Sequence, residues 1–150
     1  MEKRYGTWYN DIVPHLRKED GKMVKILLFG EEDECNQAIQ CLNQISELSE
    51  KTKYSRVTDD YDEFYKEVVD YEPDLTVVLA DGANGMEGVY RSRQARPEVP
   101  VFWFSNDWNF GNQSHRLKCA YFSGKPVSTD KFQRAIGCLQ AAGGASWLNK

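Results

Sequence analysis

The chain has 150 residues, of which 41% are hydrophobic, 13% aromatic and 28% charged, and its formal net charge is -4. This length predicts one domain with a single sizeable core, and the composition excludes disordered and fibrous classes. The sequence pI near 5.2 argues against a general nucleic-acid-binding surface, which needs clustered Lys and Arg. We therefore expect a protein partner and no direct contact with nucleic acid.

The termini and the cysteines indicate where the protein works. Residues 1–22 lack the apolar core of a signal peptide, and no run approaches the ~20 apolar residues that span a bilayer. The four cysteines form no CxxC pair and have no His at metal-ligand spacing, which argues against zinc. We expect a cytoplasmic protein without membrane contact, with residues 1–22 as an extension, 23–142 as the domain and 143–150 as a tail.

Apolar runs alternate with helical periodicity through the first half of the domain. Residues 23–29 form an apolar run closed by Gly30, which predicts a strand buried on both faces. Residues 33–48 follow the i, i+3, i+4, i+7 rule of an amphipathic helix. A weak strand at 54–57 then precedes an acid-started helix at 60–71.

The second half of the domain repeats this alternation. Residues 75–80 are the most strand-like stretch in the chain, and they lead into a loop at 81–85 and a short helix at 87–95. Residues 101–104 predict a fourth strand. The remaining predicted elements are a weak helix within 106–118, a fifth strand at 119–122 and a last helix capped by Ser128 or Thr129 and stopped by Gly143 and Gly144.

Five strand–helix units in succession predict an α/β fold. Their connections suit a doubly wound parallel sheet with helices on both faces. We expect Val77, Val78, Phe102 and Phe104 to be buried, because their runs are apolar on both faces. In such sheets ligands collect at the carboxyl ends of the strands.

Polar side chains follow four of the predicted strands, namely Glu31 and Glu32, then Asp81, Ser105 and Lys125. Carboxylates can hold Mg²⁺, one carboxylate can attack a phosphoryl group, and hydroxyl and ammonium groups can bind phosphate oxygens. A simpler interpretation is also open. The two glutamates then only complement a helix N-terminus, and Lys125 belongs to an ordinary strand-to-helix turn.

Over roughly residues 24–139 the sequence resembles the receiver domain of two-component response regulators. The matching stretches are KILLFGEED at 25–33, PDLTVVLAD at 73–81, GMEG at 85–88, VPVFWFS at 99–105 and FSGKP at 122–126. In this family a Lys-Pro pair with a cis bond follows the Ser or Thr after the fourth strand. The family's spacing is the twenty positions that separate Ser105 from Lys125.

The resemblance implies the flavodoxin-like receiver fold, a five-stranded parallel sheet in strand order 2-1-3-4-5. It implies Asp81 as the candidate phosphoacceptor with Ser105 and Lys125 as its catalytic partners. Mg²⁺ would be the cofactor, held by Glu31, Glu32 and Asp81. Phe110 and Phe122 fall where receivers of the LytTR-associated type carry aromatics, and with Pro126 they would form a switch or partner surface.

The chain departs from the receiver pattern at the phosphorylation site. Gly30 precedes Glu31 where receivers carry two adjacent acids, and an ungapped count back from residues 85–88 places Ala80 at the phosphoacceptor position. Asp81 fits only if the loop is one residue shorter, and the following helix looks short by a turn of ~3.6 residues. Since side chains alternate along an extended chain, we expect Asp81 to point away from the site unless Gly82 permits a rearranged loop.

These departures favour an atypical, degenerate receiver that is not an enzyme. It would signal by protein contact through the fourth helix, fifth strand and fifth helix, with impaired or absent aspartyl phosphorylation. The alternative is an active receiver in which Asp81 takes a phosphoryl group from a histidine kinase with Mg²⁺. A flavodoxin-like domain that binds a small molecule ranks lowest, because the acidic turn at 29–33 lacks a glycine-rich or hydroxyl-rich phosphate cradle.

The expected partner is a histidine kinase or a downstream effector, and the sequence permits a homodimer. Only about eight residues follow the last predicted helix. We therefore expect any output domain to lie on another chain or outside this sequence.

Overall fold

The computed structural model describes residues 23–45 and 52–141 of the chain. The elements in chain order are β1 (Val24–Gly30), α1 (Glu32–Asn43), β2 (Thr52–Val57), α2 (Tyr61–Tyr71), β3 (Leu75–Leu79), α3 (Gly82–Ala95), β4 (Val101–Phe104), a 3₁₀ turn (Trp108–Phe110), α4 (Gly111–Arg116), β5 (Tyr121–Ser123) and α5 (Thr129–Ala141). Strands and helices alternate, as the sequence predicts.

The strands form one five-stranded sheet in the order β2-β1-β3-β4-β5. All four neighbouring pairs are parallel. In the middle of the sheet Leu28 of β1 lies beside Val77 of β3, which in turn lies beside Phe102 of β4. Parallel neighbours need crossover connections, and the helices supply them. The predicted fold class and strand order are confirmed.

Two apolar clusters cover the two faces of the sheet, because successive strand residues point to opposite sides. The first cluster contains Val77 and Phe102 and is closed by α1 and α5. The second contains Val78 and Trp103 and is closed by α2 and α3. The prediction that Val77, Val78, Phe102 and Phe104 are buried is confirmed, since each has 0% of its surface exposed.

The helix after β3 ends at Ala95 as predicted but begins at Gly82 rather than at Glu87, so the predicted loop at 81–85 and the short length of the helix are wrong. Glycine is a poor helix former, so Gly82 and Gly85 predict a loop where the structure has a helix. Packing explains why glycine is present. A Cβ on Gly85 would lie 2.1 Å from the carbonyl oxygen of Ala80 and 2.3 Å from Nε1 of Trp103. The helix therefore approaches the sheet closely because it has no side chain there.

Other element boundaries differ by small amounts from the prediction. β3 ends at Leu79 instead of Ala80. β5 is shifted toward the C-terminus, and α1 begins at Glu32. The Ser128 side chain caps α5 by accepting a hydrogen bond from Lys131 N at 3.1 Å, as predicted.

Some predictions lie outside the described residues. They are the N-terminal extension at 1–22, the tail at 143–150 with its helix-stopping glycines, and the last part of the first predicted helix, at 46–48. The domain boundaries stay predictions. In the part of the chain that the structure describes, no helix combines the length and the apolar character needed to cross a membrane.

Candidate functional site

An open cleft of about 550 Å³ lies at the carboxyl edge of the sheet. Three of the residues singled out by the sequence line it, namely Glu31, Asp81 and Lys125. Glu34 and Asp59 also line this cleft, whereas Glu32 does not. The fold therefore brings most of the predicted charged residues together at the edge where ligands of doubly wound sheets bind.

Lys125 is the central cation of the cleft. Only 12% of its side chain is exposed, and its Nζ donates a hydrogen bond to Glu34 Oε2 at 2.8 Å. The same Nζ lies 3.3 Å from Asp81 Oδ1. The Lys125–Pro126 bond is cis, as the resemblance implies. Two carboxylates from different elements therefore hold one ammonium group.

Sequence reasoning missed Glu34. It lies in the first turn of α1, three residues after Glu31. Residues three apart share a face of a helix. The three-residue spacing from Glu31 therefore points to Glu34, whereas position directly after the strand points to Glu31 and Glu32. Glu34, rather than Glu32, faces the cleft.

The Asp81 carboxylate receives several favourable contacts. Its Oδ1 accepts a hydrogen bond from the backbone N–H of Asn106 at 2.8 Å. Burial acts to raise the pKa of Asp81, but the Asn106 hydrogen bond, the charge and hydrogen bond of Lys125, and the Ser105 hydroxyl together outweigh burial. The pKa of Asp81 therefore lies below its ordinary value, and the side chain is ionised at neutral pH.

Asp81 points toward the site, which is the case that the sequence allows only with a loop rearranged at Gly82. Strand geometry ends at Leu79, so side-chain alternation does not extend to residue 81. Asp81 is instead the residue that precedes α3, and it makes no side-chain capping hydrogen bond to that helix. Gly82 has φ 55°, a left-handed conformation that favours glycine. This turn directs the Asp81 carboxylate toward Lys125.

Ser105 directly follows β4 and is 1% exposed. Its Oγ accepts hydrogen bonds from Asp107 N at 3.0 Å and from Gly82 N at 3.4 Å. Because both of these contacts use the oxygen as acceptor, the hydroxyl proton can be donated to the Asp81 carboxylate, whose pKa it helps to lower. Ser105 therefore connects the loop after β4 to the start of α3.

The position before Glu31 shows why the chain lacks a second acid there. Gly30 packs against β3, and a Cβ on it would lie 2.9 Å from Leu79 Cβ. An aspartate would require a shift of the sheet at this point. Within residues 23–45 and 52–141, no group of three or more His, Cys, Asp or Glu is arranged to hold a metal ion. The Mg²⁺ site of Glu31, Glu32 and Asp81 stays a prediction, and its donor set does not meet in this cleft.

The Trp103 side chain contacts both Ala80, which lines the cleft, and two aromatic residues outside the cleft lining. Its Nε1 donates a hydrogen bond to the carbonyl oxygen of Ala80 at 2.9 Å. Its ring packs edge-on against Phe110 and Phe122, with ring centroids 6.1 and 5.0 Å away. The two phenylalanines are half-buried, and Pro126 is exposed beside a smaller cavity of about 260 Å³. Phe110 and Phe122 thus pack on a buried tryptophan, whereas Pro126 lies at the smaller cavity, and the role of all three in binding stays a prediction.

Solved structures that superpose on this chain include signal receiver domains. A LuxR-family two-component response regulator from Aurantimonas sp. SI85-9A1 superposes with a TM-score of 0.62 at 16% identity, covering 85% of this chain and 92% of that one. A CheY-like receiver domain protein from Methanospirillum hungatei JF-1 gives 0.60 at 11% identity, covering 77% and 92%. The receiver domain of a modulated diguanylate cyclase from Desulfovibrio desulfuricans G20 gives 0.57 at 22% identity, covering 77% and 92%.

These similarities define the class of fold. The chain has the CheY-like, flavodoxin-like fold of response-regulator receiver domains, with its charged cleft at the carboxyl edge of the sheet. No protein-family model matches the sequence. No curated protein matches it either.

Proposed function

We propose that the chain is a receiver-like signalling domain that acts through protein contact, with impaired or absent phosphorylation of Asp81. The observation that carries this proposal is the state of Lys125. Its ammonium group is bound by Glu34 and by Asp81 and is only 12% exposed. A lysine held by two carboxylates is a weaker ligand for an incoming phosphoryl group, because that group must displace one of them.

The acids of the cleft support the same proposal. A phosphoryl transfer to Asp81 needs Mg²⁺, and Mg²⁺ needs near-octahedral oxygen ligands at about 2.1 Å. Gly30 takes the place of one expected acid, and Glu32 lies outside the cleft. Glu34, which also lines the cleft, is already paired with Lys125, and no group of three or more His, Cys, Asp or Glu among the described residues is arranged to hold a metal ion. Efficient phosphorylation would require further ligands.

The contact surface is proposed to be the one formed by α4, β5 and α5. β5 is an edge strand of the sheet, and its three residues are half-buried. Phe122 on β5 packs on Trp103, whose Nε1 binds the carbonyl oxygen next to Asp81. A change in the cleft therefore has a packed route to this surface. We also propose that, among receivers, this chain is most similar to those of the LytTR-associated type.

A second candidate function is an active receiver with Asp81 as phosphoacceptor. The specific observation in its favour is the position of Asp81. The side chain is 48% exposed and lies 3.3 Å from Lys125, and its lowered pKa keeps it ionised and nucleophilic. A histidine kinase would then be the partner. This candidate and the first differ in one measurable property, which is the formation of an adduct on Asp81.

The test is to incubate the full chain with Mg²⁺ and either acetyl phosphate or beryllofluoride. Intact-protein mass spectrometry and ¹H–¹⁵N spectra then report any adduct. We expect the wild-type protein and Asp81→Asn to behave alike, while an active receiver domain treated in parallel is modified. A stable adduct on the wild-type protein that is absent from Asp81→Asn would contradict the proposal and support the second candidate.

A further inference from the structure

The turn between β5 and α5 is held by the side chain of Lys131. This residue lies in the first turn of α5, and its Nζ donates hydrogen bonds to the carbonyl oxygens of Gly124 at 2.9 Å and Pro126 at 2.7 Å. Gly124 and Pro126 flank Lys125 in the chain. One ammonium group therefore fixes the backbone on both sides of the cation of the cleft.

A lysine is not the residue that the helix itself favours at this position. Ser128 caps α5 by accepting a hydrogen bond from Lys131 N at 3.1 Å, so residue 131 stands where a capping box has glutamate or glutamine. A positive charge in the first turn also opposes the helix dipole. The contacts of the Lys131 ammonium therefore serve the turn before α5 rather than the helix.

The first turn of α5 is a fixed support for these contacts. Thr129 Oγ1 donates a hydrogen bond to the carbonyl oxygen of Cys41 in α1 at 3.2 Å. Phe132 is buried and packs on the ring of Phe104 in β4, with ring centroids 5.0 Å apart. Residues close to Lys131 on both sides thus attach α5 to α1 and to the sheet.

We propose that Lys131 is a positioning residue, which keeps the Lys125 ammonium between Glu34 and Asp81 by holding the turn at residues 124–126 on α5. Lys125 Nζ lies 2.8 Å from Glu34 Oε2 and 3.3 Å from Asp81 Oδ1. Glu34 belongs to α1, whereas Asp81 precedes α3. One ammonium group contacts both carboxylates only while its turn keeps its place.

This inference rests on the proposed function and deepens it, because the state of Lys125 is the observation that carries that proposal. α5 is part of the proposed contact surface, and the Lys131–Pro126 hydrogen bond is exposed to solvent. Lys131 therefore connects that surface with the turn that carries the cation of the cleft.

The experiment measures how well the Lys125 amine is protected in the full chain. Lys131→Met removes the ammonium group, and Lys131→Arg keeps donors for both carbonyl groups. Arg134→Met is the matched control, because Arg134 is another cation of α5 and pairs with Asp130. The proteins are acetylated with an amine-directed ester at one fixed pH, without Mg²⁺ or a phosphoryl donor. Peptide mass spectrometry gives the acetylation rate of Lys125 relative to that of the exposed Lys53.

Lys131→Gln separates a role in the turn from a role in the helix. Glutamine suits the capping box with Ser128, but its side chain is too short to replace the ammonium group at both carbonyl oxygens. If residue 131 served only α5, this variant would leave Lys125 as protected as in the wild type. The thermal midpoint of each protein shows that the acetylation rates are compared between folded chains.

We expect Lys131→Met and Lys131→Gln to raise the relative acetylation rate of Lys125 by about threefold or more, because local opening of the turn exposes the amine. Lys131→Arg and Arg134→Met should stay near the wild-type rate. An unchanged rate in the folded Lys131→Met and Lys131→Gln proteins would overturn the inference, as would an equal rise in Arg134→Met. An Asp81 adduct formed with Mg²⁺ and acetyl phosphate would overturn only the proposed function, because the acetylation rates are measured without either reagent.

Discussion

At the scale of single residues, Asp81 and Glu34 illustrate how sequence and structure relate. Asp81 could be chosen from the sequence because it follows a strand, but its orientation could not, since that depends on where β3 ends and on φ at Gly82. Glu34 could have been found from helix periodicity. Its contact with Lys125, which lies 91 positions away, requires the folded sheet. Local patterns therefore identify candidates, and long-range contacts decide their roles.

Two helical glycines have opposite surroundings and provide a matched pair. A Cβ on Gly85 would meet the Ala80 carbonyl oxygen at 2.1 Å and Trp103 at 2.3 Å, whereas a Cβ on Gly137 would meet nothing within 4 Å. At Gly85 the neighbours are a backbone carbonyl and a buried ring, which can move only at a large cost in free energy. At Gly137 alanine adds helix propensity without a clash.

We predict that Gly85→Ala lowers the free energy of unfolding by at least about 3 kcal/mol, at the upper end of overpacking effects. Gly137→Ala should raise it by about 0.5–1 kcal/mol. Urea denaturation followed by circular dichroism measures both. A Gly85→Ala protein as stable as the wild type would show that α3 does not approach the sheet this closely.

At the scale of elements, the strands were predictable and one helix was not. The central strands are continuous apolar runs, and burial on both faces selects such runs directly. α3 carries Gly82, Gly85 and Gly88, which lower its intrinsic helix propensity. These residues form a helix because the sheet packs against them: Phe29 and Val78 would lie 3.0–3.3 Å from a Cβ on Gly88. Tertiary packing overrides local preference there.

Arg96 links the C-terminal ends of α2 and α3 through hydrogen bonds. Arg96, just after α3, donates hydrogen bonds to the carbonyl oxygens of Val68 at 3.1 Å and Val69 at 2.7 Å. Both carbonyls lie in the last turn of α2, where carbonyl groups lack partners within the helix. Its guanidinium group also lies 3.5 Å from Glu72. One side chain therefore satisfies two carbonyls and joins two helices.

We predict that Arg96→Met lowers the free energy of unfolding by about 1–2 kcal/mol. This loss is smaller than the full value of two charge-assisted hydrogen bonds, because the Arg96 side chain is 28% exposed and solvent screens it. Arg96→Lys should retain part of this stability, because a lysine ammonium group cannot reproduce the geometry in which the planar guanidinium donates both hydrogen bonds. Arg134→Met is the control. Arg134 makes an exposed i,i+4 pair with Asp130, worth about 0.3–0.5 kcal/mol. Equal losses in the Arg96→Met and Arg134→Met proteins would refute the capping role.

At the scale of the whole molecule, β3 is the middle strand of the sheet and contributes residues to both apolar clusters. It lies between β1 and β4 in the sheet, and its residues alternate between the two faces. Val77 belongs to the cluster under α1 and α5, and Val78 to the cluster under α2 and α3. Neither cluster is complete without the sheet. The two halves of the core should therefore unfold together.

We predict that Val77→Ala and Val78→Ala each lower the free energy of unfolding by about 2–3 kcal/mol, from lost methyl burial and the cavity left behind. Lys53→Ala, at an exposed position on the edge strand β2, should change it by less than about 0.5 kcal/mol.

In each protein, far-ultraviolet circular dichroism and tryptophan fluorescence should give one coincident urea transition. If the two faces were independent, Val78→Ala, on the face that holds Trp103, would shift its fluorescence transition together with the helical signal of α2 and α3 and leave that of α1 and α5 in place. Val77→Ala would then shift the helical signal of α1 and α5 and leave the Trp103 fluorescence in place. Coincident transitions in both variants therefore mean that a perturbation on either face of the sheet is felt by the whole domain, including the cleft at the end of β3.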